Sequence, residues 1–249
     1  MTSVASAPSA PPGRRVSGTA VRLVEAEPLA GWAGRLAPRL LDAGELRRAD
    51  SLRRTGDRRN HLVARVLLRT LLGARLGLAP EAVRLGRAAC PCCGGPHGRP
   101  VVLGGGVHFS LSHSGSLVLL GIGPVPLGVD VERVPEPAAA AETAPALHPR
   151  ERTELAALDA ALRPAAFARA WTRKEAYLKG IGTGLGRSAS LDYVGTGPAP
   201  APGPDGWRLS DVAAPSGYAA AVAVAPDLAG GPSEAARERR SPSNSLYRQ

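Results

Sequence analysis

The chain has 249 residues, 44% of them hydrophobic and 21% charged, which suffices for one large domain or two small ones and excludes a purely disordered or fibrous chain. Thirty-one basic residues against 21 acidic give a formal charge of +10, which directs attention to an anionic partner: nucleic acid, phosphate or an acidic protein. No stretch approaches the roughly 20 apolar residues of a membrane span, the first residues hold no apolar secretory core, and 3 cysteines cannot build a disulfide framework, so the expectation is a reduced, cytoplasmic protein.

Residues 1–19 are rich in Ala, Ser and Pro and read as a disordered tail. Val63, Leu67, Leu68, Leu71 and Ala74 recur at helical spacing in a segment ending near Gly77, with Arg58, Arg59, Arg65 and Arg69 assigned to the opposite side. This predicts an amphipathic helix with a basic flank. Segments 107–114 (VHFSLSHS) and 117–122 (LVLLGI) read as a hairpin turning at Gly115-Ser116, and LGVDVERV follows as another strand. The Gly/Pro break at 121–126 marks a boundary between an N-terminal unit, 20–124, and a C-terminal unit, 125–226. Helices are expected over 149–162 and from Pro164 to a stop at Gly180, with short strands at 190–194, 206–212 and 217–225, the last central. The polar, basic stretch 227–249 reads as a second disordered tail. Helices alternating with antiparallel strands indicate an α+β fold.

On the strand around Gly128-Val129-Asp130-Val131-Glu132, period-two alternation places Val129 and Val131 on one face and Asp130 and Glu132 on the other. Two carboxylates spaced about 6 to 7 Å apart along a strand suit a hard divalent cation, although a solvated acidic face would read the same way. On the second helix, Glu175 and Lys179 form an i, i+4 pair, which by spacing alone is an ordinary surface salt bridge. The lysine usage argues for more: the only two lysines of the chain, Lys174 and Lys179, both fall here, and a compact ammonium differs in kind from a guanidinium. Lys174 points roughly 100° away from Glu175 around the helix.

Ser110, Ser112, His113 and Ser114 form a hydroxyl-rich strand end suited to phosphate oxygens. A serine hydrolase is set aside, because Ser and His adjacent on a strand face opposite ways and no G-x-S-x-G motif is present. Cys90, Cys92, Cys93 and His97 contain a C-x-x-C with a nearby His whose spacing could begin a zinc site. A closed site would need four ligands from one tight turn, so a reduced, loop-borne thiol cluster is the favoured reading.

Taken together and in this order, FSLSHS, GVDVE and WTRKEAYLKGIGTGL resemble the larger, Sfp-type class of 4'-phosphopantetheinyl transferases, through the paired signatures GxDxE and WxxKExxxK. The resemblance extends upstream through Gly98-Arg99-Pro100 and the basic helix. It implies a monomer built from a pseudo-twofold pair of similar α/β subdomains, with coenzyme A and Mg2+ in the cleft between them. The implied reaction moves the 4'-phosphopantetheine arm of coenzyme A onto a serine of an acyl or peptidyl carrier protein and releases adenosine 3',5'-bisphosphate. By the same resemblance, Asp130, Glu132 and Glu175 would hold the metal, Glu175 would serve as general base, and Lys179 would stabilise the pyrophosphate oxygens. His113, Ser112, Arg99 and an upstream arginine, Arg48 or Arg59, would bind the coenzyme A phosphates. An acidic carrier protein would be steered by the positive surface. The competing reading is a basic nucleic-acid-binding module, for which 4% aromatics and the lack of a recognition motif are poor support. A non-catalytic relative that only binds coenzyme A or the carrier is opposed by the presence of Asp130, Glu132, Glu175 and Lys179.

Overall fold

The computed structural model describes residues 14–16 and 18–226. Two antiparallel sheets pack face to face, each with helices on its outer side. The first sheet has the order β1-β2-β6-β5, from β1 (Arg14–Val16), β2 (Thr19–Glu25), β5 (His108–Ser114) and β6 (Leu117–Gly123). The second has the order β7-β9-β8, from β7 (Leu127–Arg133), β8 (Arg208–Asp211) and β9 (Tyr218–Val224). A two-stranded ribbon, β3 (Leu85–Arg87) with β4 (Pro100–Val102), stands apart from both. Mixed helices and antiparallel strands make this the α+β fold expected from the sequence.

Alternation along β6 sorts the core. Val118, Leu120 and Ile122 face outward onto α1 (Ala30–Leu40) and α3 (Thr55–Leu76), meeting Trp32, Val63, Leu67, Leu68 and Leu72. Leu117 and Leu119 face inward, sharing an apolar layer with Val21 and with Leu127, Val129, Val131 and Val222 of the second sheet. The outer face of the second sheet, Ala221 and Ala223, packs on α6 (Arg163–Ile181) through Ala176, Tyr177 and Leu178. β9 is central and apolar, paired with β7 on one side and β8 on the other.

β7 is the edge of its sheet, and its outward N–H groups need acceptors. Serines of β5 supply them: Val129 N donates to Ser110 Oγ (3.0 Å) and Arg133 N to Ser114 Oγ (3.2 Å). Ser112, between them, donates to the carboxylate of Asp130 (2.8 Å). The hydroxyl-rich strand therefore forms the seam between the two sheets.

Several expectations are revised. The amphipathic helix spans Thr55–Leu76, but Ala74 is exposed and Arg69 is buried. Arg69 donates to Glu45 Oε2 (2.7 Å), Asp42 Oδ2 (3.1 Å) and the Val83 carbonyl (2.9 Å). Those acids belong to the capping box of α2 (Ala43–Asp50), so the arginine ties two helices together instead of lying on a solvated flank. The helix after Pro164 does not stop at Gly180; it runs to Ile181 and is capped by Gly182 in the left-handed region, φ 85°. The helix over 149–162 is α5 (Pro149–Ala157), followed by a separate 3-10 turn at Ala160–Leu162. No strand forms at 190–194, where the chain is tied down from outside: Glu151 accepts from Val194 N (2.8 Å), and Asp192 holds Arg187. β1 and the first residue of β2 fall within the stretch read as an N-terminal tail, because β1 finds a partner in β2. The remainder of that stretch and the C-terminal tail at 227–249 lie outside the described residues.

Candidate active site

Two elements build the site, and a glycine sets their separation. A side chain at Gly128 of β7 would run into the carbonyl oxygen of Ala176 and the backbone of Gly180, so α6 lies directly on the strand. Ala176 and Gly180 make this contact, and the residue before each, Glu175 and Lys179, comes to the margin beside Asp130 and Glu132. The i, i+4 spacing thus places a carboxylate and an ammonium over the acidic face of β7.

Asp130 is 1% exposed. Its Oδ1 accepts from Lys179 Nζ (2.5 Å) and Ser112 Oγ (2.8 Å), and Lys179 also donates to Ser112 Oγ (3.2 Å). Among the described residues its buried Oδ2 has no hydrogen-bond partner, an arrangement that costs free energy unless another group arrives. Burial pushes the Glu175 carboxyl above the ordinary range, and the charges of Asp130 and Glu132 push it further, against the opposing pull of Lys179. Burial and the Asp130 charge likewise raise Glu132, which Ser114 and Lys179 partly offset. Three half-buried or buried carboxylates sharing one ammonium form a cluster short of positive charge, with an unsatisfied oxygen at its centre. This donor set is all hard oxygen and fits a magnesium-type cation. The three do not bring their oxygens within 4.8 Å of one another; among the described residues only Cys90, Cys93 and His97 do so.

Lys179 also lines a cleft of about 290 Å3 with Arg65, Arg87, Arg99 and Thr183. A neighbouring hollow of about 270 Å3 shares Arg65 and Arg87 and adds Arg48 and His61. Arg99 Nη1 donates to the Gly180 carbonyl (2.7 Å) and Arg87 Nη1 to the Gly98 carbonyl (3.0 Å), and among the described residues neither pairs with a carboxylate. Burial lowers the Arg99 pKa with no acid to offset it. Thr183 Oγ1 is buried and has no hydrogen-bond partner among the described residues. Among the described residues Arg87 and Arg99 thus have no carboxylate partner, while Arg65 lies 3.7 Å from Glu45 Oε1; guanidinium groups so placed suit phosphate oxygens.

The sequence-derived candidates divide accordingly. Asp130, Glu132, Glu175, Lys179 and Ser112 come together, and Arg99 reaches the adjoining cleft. His113 stands at the surface beside Lys179, where partial desolvation of the ring and that neighbouring charge lower its pKa. Arg48 lines the outer hollow, whereas Arg59 lies outside both hollows and is ion-paired with Glu27. Ser112 Oγ is committed to Asp130 and Lys179 at the carboxylate cluster. Lys174 is absent from the site: it is buried in an ion pair with Glu151 (2.7 Å) and donates to the Asp192 carbonyl. Sequence reasoning missed Arg65 and Arg87 as cleft residues. Arg65 carried a signal, lying one helical turn from His61, but Arg87 sits on a three-residue strand with no pattern to betray it.

An acidic strand face beneath a Glu/Lys helix, beside an arginine-lined cleft, is an arrangement whose chemistry suits a hard cation and a phosphorylated ligand. The family model of the 4'-phosphopantetheinyl transferase superfamily matches residues 126–211, which include β7 and α6. The chain is 30% identical over 193 residues to the 4'-phosphopantetheinyl transferase HetI of Nostoc sp., covering 74% of this chain and 78% of that protein. It is 32% identical over 179 residues to a phosphopantetheinyl transferase of Thraustochytrium sp., covering 64% and 60% of the two chains. A Synechocystis sp. protein provisionally named a 4'-phosphopantetheinyl transferase is 29% identical over 151 residues, 59% and 58% of the two chains. The match thus spans less than two thirds of the Synechocystis and Thraustochytrium relatives. This chain belongs to the 4'-phosphopantetheinyl transferase superfamily.

Proposed function

We propose that the protein, a cytoplasmic monomer of the Sfp-type class, transfers the 4'-phosphopantetheine arm of coenzyme A to a serine of an acyl or peptidyl carrier protein. The reaction is Mg2+-dependent and releases adenosine 3',5'-bisphosphate. The observation that carries this reading is the buried Asp130 carboxylate, unsatisfied at Oδ2 among the described residues, grouped with Glu132 and Glu175 where Lys179 enters a cleft lined by Arg65, Arg87 and Arg99. The names of the relatives support the same activity.

In this reaction the serine oxygen bonds to the phosphorus bearing the pantetheine arm, and the bridging pyrophosphate P–O bond breaks. Asp130, Glu132 and Glu175 would hold Mg2+, which when bound neutralises charge on the pyrophosphate oxygens. Glu175 takes the serine proton, directly or through water. Lys179 offsets charge developing on the pyrophosphate, held ready by Asp130 and Ser112. Arg99, Arg65 and Arg87 hold the phosphates of coenzyme A, with Arg48 and His113 as outer contacts. The +10 formal charge of the chain favours encounter with an acidic carrier.

The test is intact-mass analysis of a purified apo-carrier incubated with the protein, coenzyme A and Mg2+. One added phosphopantetheine, lost with Glu175→Gln, is the expected result; no addition across several acyl and peptidyl carriers would overturn the reading.

A further inference from the structure

The loop joining β3 to β4 holds a feature that the transfer reaction does not use. Cys90 Sγ, Cys93 Sγ and a ring nitrogen of His97 all lie within 4.8 Å of one another, and Cys93 Sγ is 3.1 Å from His97 Nε2. We propose that Cys90, Cys93 and His97 form a site for a single Zn2+, with water in the fourth position.

The turn is shaped for this convergence. The Cys90 carbonyl accepts from Gly94 N (2.7 Å), and Cys90 N donates to the Gly95 carbonyl (2.7 Å), so residues 90–95 close into a tight loop. Gly94 supplies the left-handed backbone conformation, φ 73°, that turns the chain after the second ligand. A side chain at Gly95 would press on the His97 ring and approach Cys93 Sγ, so glycine leaves the imidazole room to fold back over the thiol. Two thiols and one imidazole are borderline-soft donors that suit zinc rather than magnesium, which separates this site from the all-carboxylate cluster on β7. Cys92, exposed on the same turn, falls outside the converging group.

Position gives the metal a structural consequence. Arg99 follows His97 by two residues and binds the Gly180 carbonyl at the end of α6. His97 itself lines the arginine cleft, so a metal on this loop would fix the approach of the Arg99 segment. Closure of 90–97 by a zinc ion would staple the ribbon where the residues between and beside the ligands are two glycines, two prolines and Cys92.

The test uses the full chain, reduced and purified without a polyhistidine tag, stripped with chelator and titrated with Co2+ and then Zn2+. Sulfur-to-cobalt charge transfer and tetrahedral visible bands should saturate at one equivalent and be abolished by one equivalent of zinc. Cys93→Ser and His97→Ala should each weaken binding by at least about 100-fold, and Cys92→Ser should leave it unchanged. Alkylation followed by peptide mapping reads the wild type alone: with zinc, Cys90 and Cys93 are protected while Cys92 reacts. Absence of the charge-transfer band in fully reduced protein, equal reactivity of all three thiols with and without zinc, or loss of metal in Cys92→Ser but not in His97→Ala would each overturn the assignment.

Discussion

At the scale of single residues, the two lysines of the chain have separated into different roles five positions apart on one helix. Lys174 is buried against Glu151, their side chains 2% and 0% exposed. Lys174→Ala would strand a carboxylate that also accepts from the backbone of His148 and Val194. The expected loss is about 3–5 kcal/mol, measured by urea denaturation, with the remaining folded molecules keeping their transfer rate. Lys179 stands 31% exposed over Asp130, and its replacement is expected to reduce the turnover of the molecules that remain folded, besides a stability loss from leaving the buried Asp130 carboxylate without its cation. Glu175 adds a prediction with a definite sign. Its carboxyl pKa, like that of Glu132, lies above the ordinary 4.5 in the folded protein. The folded state thus holds these protons more tightly, and the associated stability is full below the unfolded pKa and lost as pH rises through the raised values. Glu175→Gln should therefore raise the Tm in Mg2+-free buffer at neutral pH, with the gain shrinking toward about pH 4. A variant no more stable than wild type at neutral pH would contradict the crowding of negative charge inferred for this face.

At the scale of elements, close approach and side-chain hydrogen bonding do the positioning. α6 meets β7 at Gly128, so Gly128→Ala must lift the helix from the strand. The expected cost is about 2–3 kcal/mol, with transfer reduced beyond the loss of folded protein because Glu175 moves with the helix. The seam between the sheets rests on serine hydroxyls in place of backbone carbonyls. Ser110→Ala would leave the buried Val129 N–H without its acceptor, for an expected loss of about 1–3 kcal/mol, whereas Ser110→Thr retains the hydroxyl. Equal stability of Ser110→Ala and wild type in chemical denaturation would show that the seam does not depend on this bond. These elements were legible in the sequence to different degrees. The paired acids of β7 followed from alternation, the hairpin from the Gly115-Ser116 break between two strand-like runs, and the central β9 from its nearly continuous apolar character. The role of the β5 serines was not legible: hydroxyls meant for a ligand and hydroxyls that satisfy an edge strand look alike until the neighbouring strand is in place. Gly180 misled for a related reason. Its position before a Gly-rich turn suggested a helix stop, but it is glycine to fit between Trp207 and Gly128, and the cap lies two residues later. Arg69 was misplaced because a charged residue on a helix was assigned to water, while its partners Asp42 and Glu45 stand on another helix.

At the scale of the molecule, the two sheets meet on one apolar layer and leave the phosphate-receptive cleft beside their seam. Residues from both halves line it: Arg65, Arg87 and Arg99 from before the Gly/Pro break, and Lys179 and Thr183 from after it. The cleft residues could not all be read from sequence, since they are far apart along the chain and share only their charge with many other arginines. Arg99→Ala should raise the KM for coenzyme A by about 10-fold or more while changing kcat little. A change in kcat alone would move Arg99 from binding to chemistry. Within the described residues, no helix is long and apolar enough to cross a membrane. The central claim is that the carboxylate face of β7 and α6 is where transfer occurs. It is tested most directly by the transfer rate to one apo-carrier at saturating coenzyme A, measured across a Mg2+ titration for wild type, Asp130→Asn and Lys174→Met. We expect wild-type transfer to cease with chelator, Asp130→Asn to fall by about 100-fold or more at every Mg2+ concentration, and folded Lys174→Met to match wild type. Transfer that survives chelation, or an Asp130→Asn variant as fast as wild type, would contradict the account.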